Sequence, residues 1–194
     1  MTEKEKRDLG MLYDANYDPG ICKEILRCKD LCFAYNQIMP SQLETRAAAM
    51  RKILGKTGTQ FTIVSPFWCD YGYNIVIGEN FYANHNLVIL DGAKVTFGDN
   101  VFIAPDCGFY TAGHPVNVTQ RNAGLEYARP ITVGDNVWIG GGVRVMPGVT
   151  IGSNVVIGAG SVVTRDIPDG VIAFGNPCRV YRKLTEEELG GMGK

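Results

Sequence analysis

The chain has 194 residues, 45% of them hydrophobic, and 19 Lys and Arg against 20 Asp and Glu leave a formal net charge of −1. That length and apolar content suit one domain, or a domain with an attached cap, around a buried core. The balanced charge, with no Lys/Arg run, excludes an electrostatic footprint for nucleic acid. No apolar segment has spanning length and the opening MTEKEKRD is not a signal peptide, so the expected location is the cytoplasm, with no membrane partner.

Residues 1–56 read as a helical cap. Thr2 and Glu5 have the spacing of a capping box, which predicts a short helix to about Leu9, broken by MLYDANYDPG. Asp18 and Pro19 suit the N-cap and first position of a second helix, with Ile21, Ile25, Cys28, Cys32 and Tyr35 as its apolar stripe. Pro40, Ser41 and Glu44 repeat the start signal for a third helix, ending at Gly55. The apolar face of this cap is expected to close the open end of a repetitive domain that begins just after it.

From Phe61 the pattern turns to short strands. It is plainest in ITVGDNVWIGGGVRVMPGVTIGSNVVIGAGSVVT, residues 131–164, where Val133, Ile139, Val145, Ile151, Ile157 and Val163 recur every six positions, shadowed two residues earlier by Val137, Val143, Val149, Val155 and Ser161. A six-residue unit fits a three-residue strand, inward at both ends and outward at the middle, plus a tight corner. Gly140 and Gly141 are expected at such a corner for their tolerance of positive φ, as are Gly78 and Asn84. Three units close one turn of a prism, and stacked turns satisfy one another's backbone groups around one core. At 91–94 the phase slips by two, which predicts a corner loop pushed outward where function can sit. TAGHPVNVTQRNAGLEYARP, 111–130, has no period and reads as an extruded loop. IPDGVIAFGNPCRVYRK is expected to leave the coil, so the coil domain runs 57–184; in the 185–194 tail, TEEEL forms a helical turn and GGMGK is disordered. Tyr82, Val88, Phe102, Trp138 and Val156 fall on outward positions, a moderate argument for an oligomer.

Six cysteines, at 22, 28, 32, 69, 107 and 178, include no CxxC and have no His nearby to complete a zinc pattern. They read as small buried hydrophobes with no metal, Cys22, Cys69 and Cys107 at inward positions.

LGMLYDAN, CDYGYNI, NFYAN, IAP, GHP, NVWIG and GNPCRV, spread over nearly the whole chain, resemble the maltose and galactoside O-acetyltransferase branch of the hexapeptide-repeat acyltransferases. The resemblance implies a mainly β fold, a left-handed parallel β-helix. It also implies homotrimers with active sites between subunits and transfer of acetyl from acetyl-CoA to a sugar hydroxyl. A histidine is the natural base near neutral pH, and the chain offers only His85 and His114. His114, in GHP, matches the family's catalytic position, and Pro115 biases it to an extended backbone. For the acceptor the resemblance points to Asn84, to Asp14 as the nearest acidic residue of the cap, and to Glu126 in the loop. Asp70, outward on its strand, and Asp91, at the phase slip, are further acceptor candidates, and Tyr82 suits stacking on a sugar face. Corner geometry for Asn84, a solvated carboxylate for each acid and an oligomer interface for Tyr82 stand as rival readings. For acetyl-CoA the matches are Gly141, whose backbone N–H would face the thioester carbonyl, with Trp138, Ala159, Thr164 and Arg165. Arg179 and Arg182 after GNPC are placed to meet phosphates.

Two other functions stay compatible with these residues: a hexapeptide acetyltransferase for serine or a xenobiotic, and a non-catalytic trimeric sugar-binding scaffold. A carbonic anhydrase on the same coil needs three zinc-binding histidines, and two cannot supply them.

Overall fold

The structure is a computed structural model that describes residues 1–190; of the tail expected to be disordered, 191–194 lie outside the described residues. Helix α1 (Glu3–Asp8) carries the reciprocal Thr2–Glu5 capping box. Asp18 caps α2 (Pro19–Asn36), accepting the Ile21 N–H at 2.9 Å, and Ile21, Cys28, Cys32 and Tyr35 form its buried stripe while Ile25 is half-buried. Cys22, expected inward, lies off that stripe and is only partly buried. The third helix, α3 (Leu43–Ile53), departs from expectation at its start. Gln42 is its N-cap and makes no side-chain cap bond, so the Ser41–Glu44 box does not form. The helix is held instead by the buried Arg46 guanidinium, which donates to Tyr35 Oη at 2.7 Å and to the Ile38 carbonyl at 2.9 Å. It stops at Ile53, and Gly55 is needed because a Cβ there would collide with the Tyr73 carbonyl.

The coil is a triangular prism of parallel strands. Face 1 holds Phe61–Ile63, Phe81–Ala83, Val101–Ile103, Val137–Ile139, Val155–Ile157 and Val171–Phe174; face 2 holds Phe67–Cys69, Leu87–Leu90, Gly108–Tyr110, Arg144–Val145 and Val162–Val163; face 3 holds Ile75–Val76, Val95–Phe97, Ile131–Val133 and Thr150–Ile151. Strand ends point inward and are buried, and one core runs from Tyr35 and Met50 of the cap through Phe81, Phe97, Phe109, Ile139 and Ile157 to Ala173. The departure expected at 167 therefore comes later. Ile167 still bridges Ile151, and the chain reverses only after Phe174, returning as an antiparallel strand, Arg179–Lys183, on face 1. Thr185 and Glu188 then exchange backbone-to-side-chain hydrogen bonds around one turn. Among the described residues no helix is long and apolar enough to cross a membrane.

The corners use glycine differently from the expectation. Positive φ falls one or two residues later than predicted, at Asn80, Asn100, Asn136 and Asn154 on the edge between faces 3 and 1, with φ of 55 or 56°, then at Gly170 on the same edge, and at Asn86, Asp106, Gly142 and Gly160 between faces 1 and 2. Gly78 and Gly140 instead serve close approach: a Cβ would lie 2.5 Å from the Gly98 carbonyl oxygen or 2.6 Å from the Ala159 nitrogen. Coils stacked at strand spacing leave no room for a methyl there. The Asn side chains add a ladder, Asn80 to Asn100 to Asn136 to Asn154, at 2.9, 3.1 and 3.0 Å.

Every lengthened corner lies on the remaining edge, between faces 2 and 3. Inward residues there skip eight positions rather than six, from Cys69 to Ile77 and from Ile89 to Phe97, before the insertion at 111–130. Asp91, expected on an outward loop, is fully buried. Two extra residues leave a corner with backbone donors that no coil partner meets, and Asp91 Oδ1 accepts two of them, the N–H groups of Asp70 and Tyr71, both at 2.9 Å. Thr111 repeats the device one turn on, accepting from the Ala93 N–H at 2.9 Å and donating to the Leu90 carbonyl at 2.6 Å.

Nor is the extruded segment irregular. Ala112–Gly113 and Leu125–Ala128 form a hairpin around α4 (Val118–Asn122), and Tyr13–Asp14 of the cap adds a third antiparallel strand. On face 1 the outward residues Thr62, Tyr82, Phe102, Trp138, Val156 and Ile172 stand in register, with Tyr82, Phe102 and Trp138 36, 42 and 57% exposed.

Candidate active site

The small sheet sets one row of side chains. Tyr13 pairs with Glu126 across one ladder and Gly113 with Tyr127 across the other, so His114 falls opposite Glu126, with Glu126 between base and cap. The half-exposed His114 ring is fixed at Nδ1 by the Leu125 carbonyl, 3.0 Å away, which makes Nδ1 the protonated nitrogen and leaves the lone pair on Nε2. Nε2 stands 3.6 Å from Glu126 Oε1, and the Tyr13 hydroxyl reaches Glu126 Oε2 at 3.3 Å. Burial raises the Glu126 carboxyl, against the lowering influence of His114 and the Tyr13 hydrogen bond.

Beside this row lies a cavity of about 180 Å³, space for about six waters, lined by Tyr13, Asn16, Lys29, Asp70, Tyr71 and Glu126 among others. Burial, and then the charge of Asp91, push the Asp70 carboxyl up to about 6. Burial does the same to Asp91, also to about 6, against the pull of the N–H groups it accepts. A larger cavity of about 440 Å³ lies under α3 against Tyr35, Arg46 and Phe61, with neither Glu126 nor Asp70 on its lining, so size alone does not mark the site.

His114, Glu126, Asp70 and, beneath it, Asp91 thus share the edge between faces 2 and 3. Asp14 is on the adjoining strand, but its carboxylate accepts the Asn16 and Tyr17 N–H groups in a turn of its own, and Asn16 lines the cavity in its place. Thr164 and Arg165 are exposed on the same edge, two coils further on. The rest sit elsewhere. Tyr82 and Trp138 stand on face 1; Asn84, Gly141 and Ala159 lie on the edge between faces 1 and 2, where Asn84 Oδ1 accepts the His85 N–H at 2.8 Å. Gly140 and Gly142 donate to the carbonyls of Ile157 and Pro105, whereas the Gly141 N–H has no acceptor among the described residues. Arg179 and Arg182 are exposed on the returning strand, Arg182 in a two-bond pair with Glu188 at 2.7 Å. Sequence reasoning missed Tyr13, Asn16 and Lys29; the alternation of Tyr13 and Ala15, both buried, is the one signal that a short strand crosses LYDAN.

Residues 8–58 match the maltose acetyltransferase hexapeptide capping motif, and 130–165 the bacterial transferase hexapeptide of six repeats. A Saccharomyces cerevisiae chain provisionally named an acetyltransferase is 60% identical over 92% of this chain and 91% of its own. A maltose O-acetyltransferase from Clostridium difficile superposes with a TM-score of 0.93 at 50% identity, covering 96% of this chain and 99% of its own. A galactoside acetyltransferase in complex with coenzyme A gives 0.93 at 43%, covering 100% and 96%. A coil of hexads closed by that cap is the architecture of an acyltransferase, a left-handed parallel β-helix. The chain belongs to the maltose and galactoside O-acetyltransferase branch of the hexapeptide-repeat acyltransferases, and is an acetyltransferase of that type.

Proposed function

We propose that the protein transfers acetyl from acetyl-CoA to a hydroxyl of a sugar, directly, with His114 as general base. The observation that carries this reading is the tautomer: with Nδ1–H spent on the Leu125 carbonyl, Nε2 is an acceptor 3.6 Å from Glu126, whose carboxylate edges the cavity together with Asp70. Nε2 takes the hydroxyl proton as the oxygen attacks the thioester carbonyl, and the imidazolium returns it to the departing thiolate. No acyl-enzyme is needed. Glu126, next to Nε2, favours the imidazolium while it exists, and Asp70, Asn16 and Glu126 offer acceptors for sugar hydroxyls.

Acetyl-CoA is the co-substrate, in keeping with the coenzyme A held by the galactoside acetyltransferase. The unpartnered Gly141 N–H suits the developing oxyanion, and Trp138, Ala159, Thr164, Arg165, Arg179 and Arg182 would flank the bound molecule. Within one chain these groups cannot all meet His114, because face 1 lies across the prism from the edge that bears it. A site that uses both is made by two copies, which supports a homotrimer whose exposed aromatic ladder is covered by its neighbours. Asn84 and Tyr82 would then reach the acceptor from the adjoining subunit.

A panel of maltose, a galactoside, serine and a xenobiotic amine, assayed by release of free thiol from acetyl-CoA, tests the reading. Turnover with the sugars well above the others is expected. Turnover confined to serine or the amine removes the sugar assignment, and no turnover with any acceptor removes the catalytic one.

A further inference from the structure

Three cysteines that the proposed chemistry leaves unused converge where the cap meets the coil. Cys28 and Cys32 are one turn apart on the buried stripe of α2, and Cys69 ends the first strand of face 2. Their sulfurs lie 3.5 Å (Cys28–Cys69) and 3.7 Å (Cys32–Cys69) apart, all three are within 4.8 Å of one another, and the residues are 3, 0 and 2% exposed. Among the described residues no His, Asp or Glu oxygen or nitrogen shares the cluster.

A thiolate-bound ion with bonds of about 2.3 Å holds its sulfurs about 3.8 Å apart in a tetrahedral centre and about 4.0 Å apart in a trigonal one. Two sides of the sulfur triangle are therefore already within a few tenths of an ångström of ligating lengths, and the third is at most 4.8 Å. We propose that Cys28, Cys32 and Cys69 form a closed three-sulfur site for a soft monovalent d¹⁰ cation, Cu(I), which clamps the cap to the coil. Sulfur donors alone select soft ions, and structural zinc asks for a fourth ligand that the cluster does not supply. Binding transfers no electron: each thiol that becomes a copper–sulfur bond releases its proton to solvent. Cys69 directly precedes Asp70 and Tyr71, so an occupied site also steadies the floor of the acceptor cavity.

The test uses the reduced full-length protein under anaerobic conditions, titrated with Cu(I) against bicinchoninate and separately with Zn(II). One Cu(I) per chain held against the competitor is expected, with a three-sulfur shell by X-ray absorption and a rise of several degrees in Tm. Cys69→Ala, and independently Cys28→Ser in case either disturbs folding, should lose that equivalent while keeping the circular dichroism of the coil. The combined Cys22→Ala, Cys107→Ala, Cys178→Ala variant should keep it. Failure of the wild type to hold Cu(I), retention in Cys69→Ala or Cys28→Ser, or uptake of Zn(II) in its place would overturn the proposal.

Discussion

Two edges of the same prism follow opposite rules. Between faces 3 and 1 four successive corners are alike: Asn80, Asn100, Asn136 and Asn154 share one backbone conformation and join their amides into a ladder. Between faces 2 and 3 the corners at 70–74 and 91–94 are two residues longer than the hexad allows and that at 111–130 far longer, and each of the first two has a buried side chain from the next turn, Asp91 or Thr111, to satisfy its backbone. The flanking strands stay in register across all of it. A coil can thus carry irregular structure on one edge without disturbing its core, and that is the edge on which His114, Glu126 and Asp70 gather.

If the division is real, changes on the two edges should fail in different ways. The largest effect is expected at His114→Ala: turnover lower by about 10² to 10⁴, or about 3–5 kcal/mol of barrier, with acetyl-CoA binding by calorimetry and Tm unchanged. Activity within a few-fold of the native enzyme would take the chemistry away from this edge. Gly134→Val should do the converse. Its side chain would be driven against the Gly152 backbone, where even a Cβ lies 2.8 Å from the carbonyl carbon, and overpacking of that kind costs about 3 kcal/mol. Tm should fall steeply while activity per folded molecule survives; a native Tm would mean that the close-approach column tolerates bulk.

Third in size is a pH effect on the edge between faces 2 and 3. Asp91 is held at about 6 when folded, above its ordinary value of 3.8, so the native state binds this proton more tightly than the unfolded chain does. Its contribution is then fully present below pH 4 and declines as pH rises to about 6, by about 3 kcal/mol. Asp91→Asn keeps the oxygen that accepts from Asp70 and Tyr71 but cannot ionise, so its stability should vary less over pH 4–7 in denaturant melts. An unchanged pH profile would mean that Asp91 ionises freely where it lies.

The same division explains what is legible in the sequence. The period of six reports the inward positions because burial on a coil repeats with the corner, and every member of the series from Val133 to Val163 is buried. Six-residue spacing marks where glycine falls but not why, since it is equally compatible with positive φ and with close approach. Across 111–130 there is no period to read, because a hairpin whose partner strand, Tyr13–Asp14, lies a hundred residues away leaves no local signature. His114 is visible through its motif, but the Leu125 carbonyl that sets its tautomer belongs to backbone geometry and has no residue type to announce it.

The smallest expected effect separates the regions most finely. Glu126 stands 3.6 Å from Nε2 but the pair is partly exposed, so its help to the imidazolium is worth up to about 1 kcal/mol, about a fivefold change in turnover. Burial raises its carboxyl, which means that the ionised form costs the folded state stability once pH exceeds the unfolded value, a cost that Glu126→Gln removes. This variant should therefore lose a few-fold in kcat while gaining slightly in Tm at pH 8. Loss of both would make Glu126 a packing residue like those of the coil. A gain in stability matched by a loss of rate is what a group kept for chemistry against its own desolvation must show.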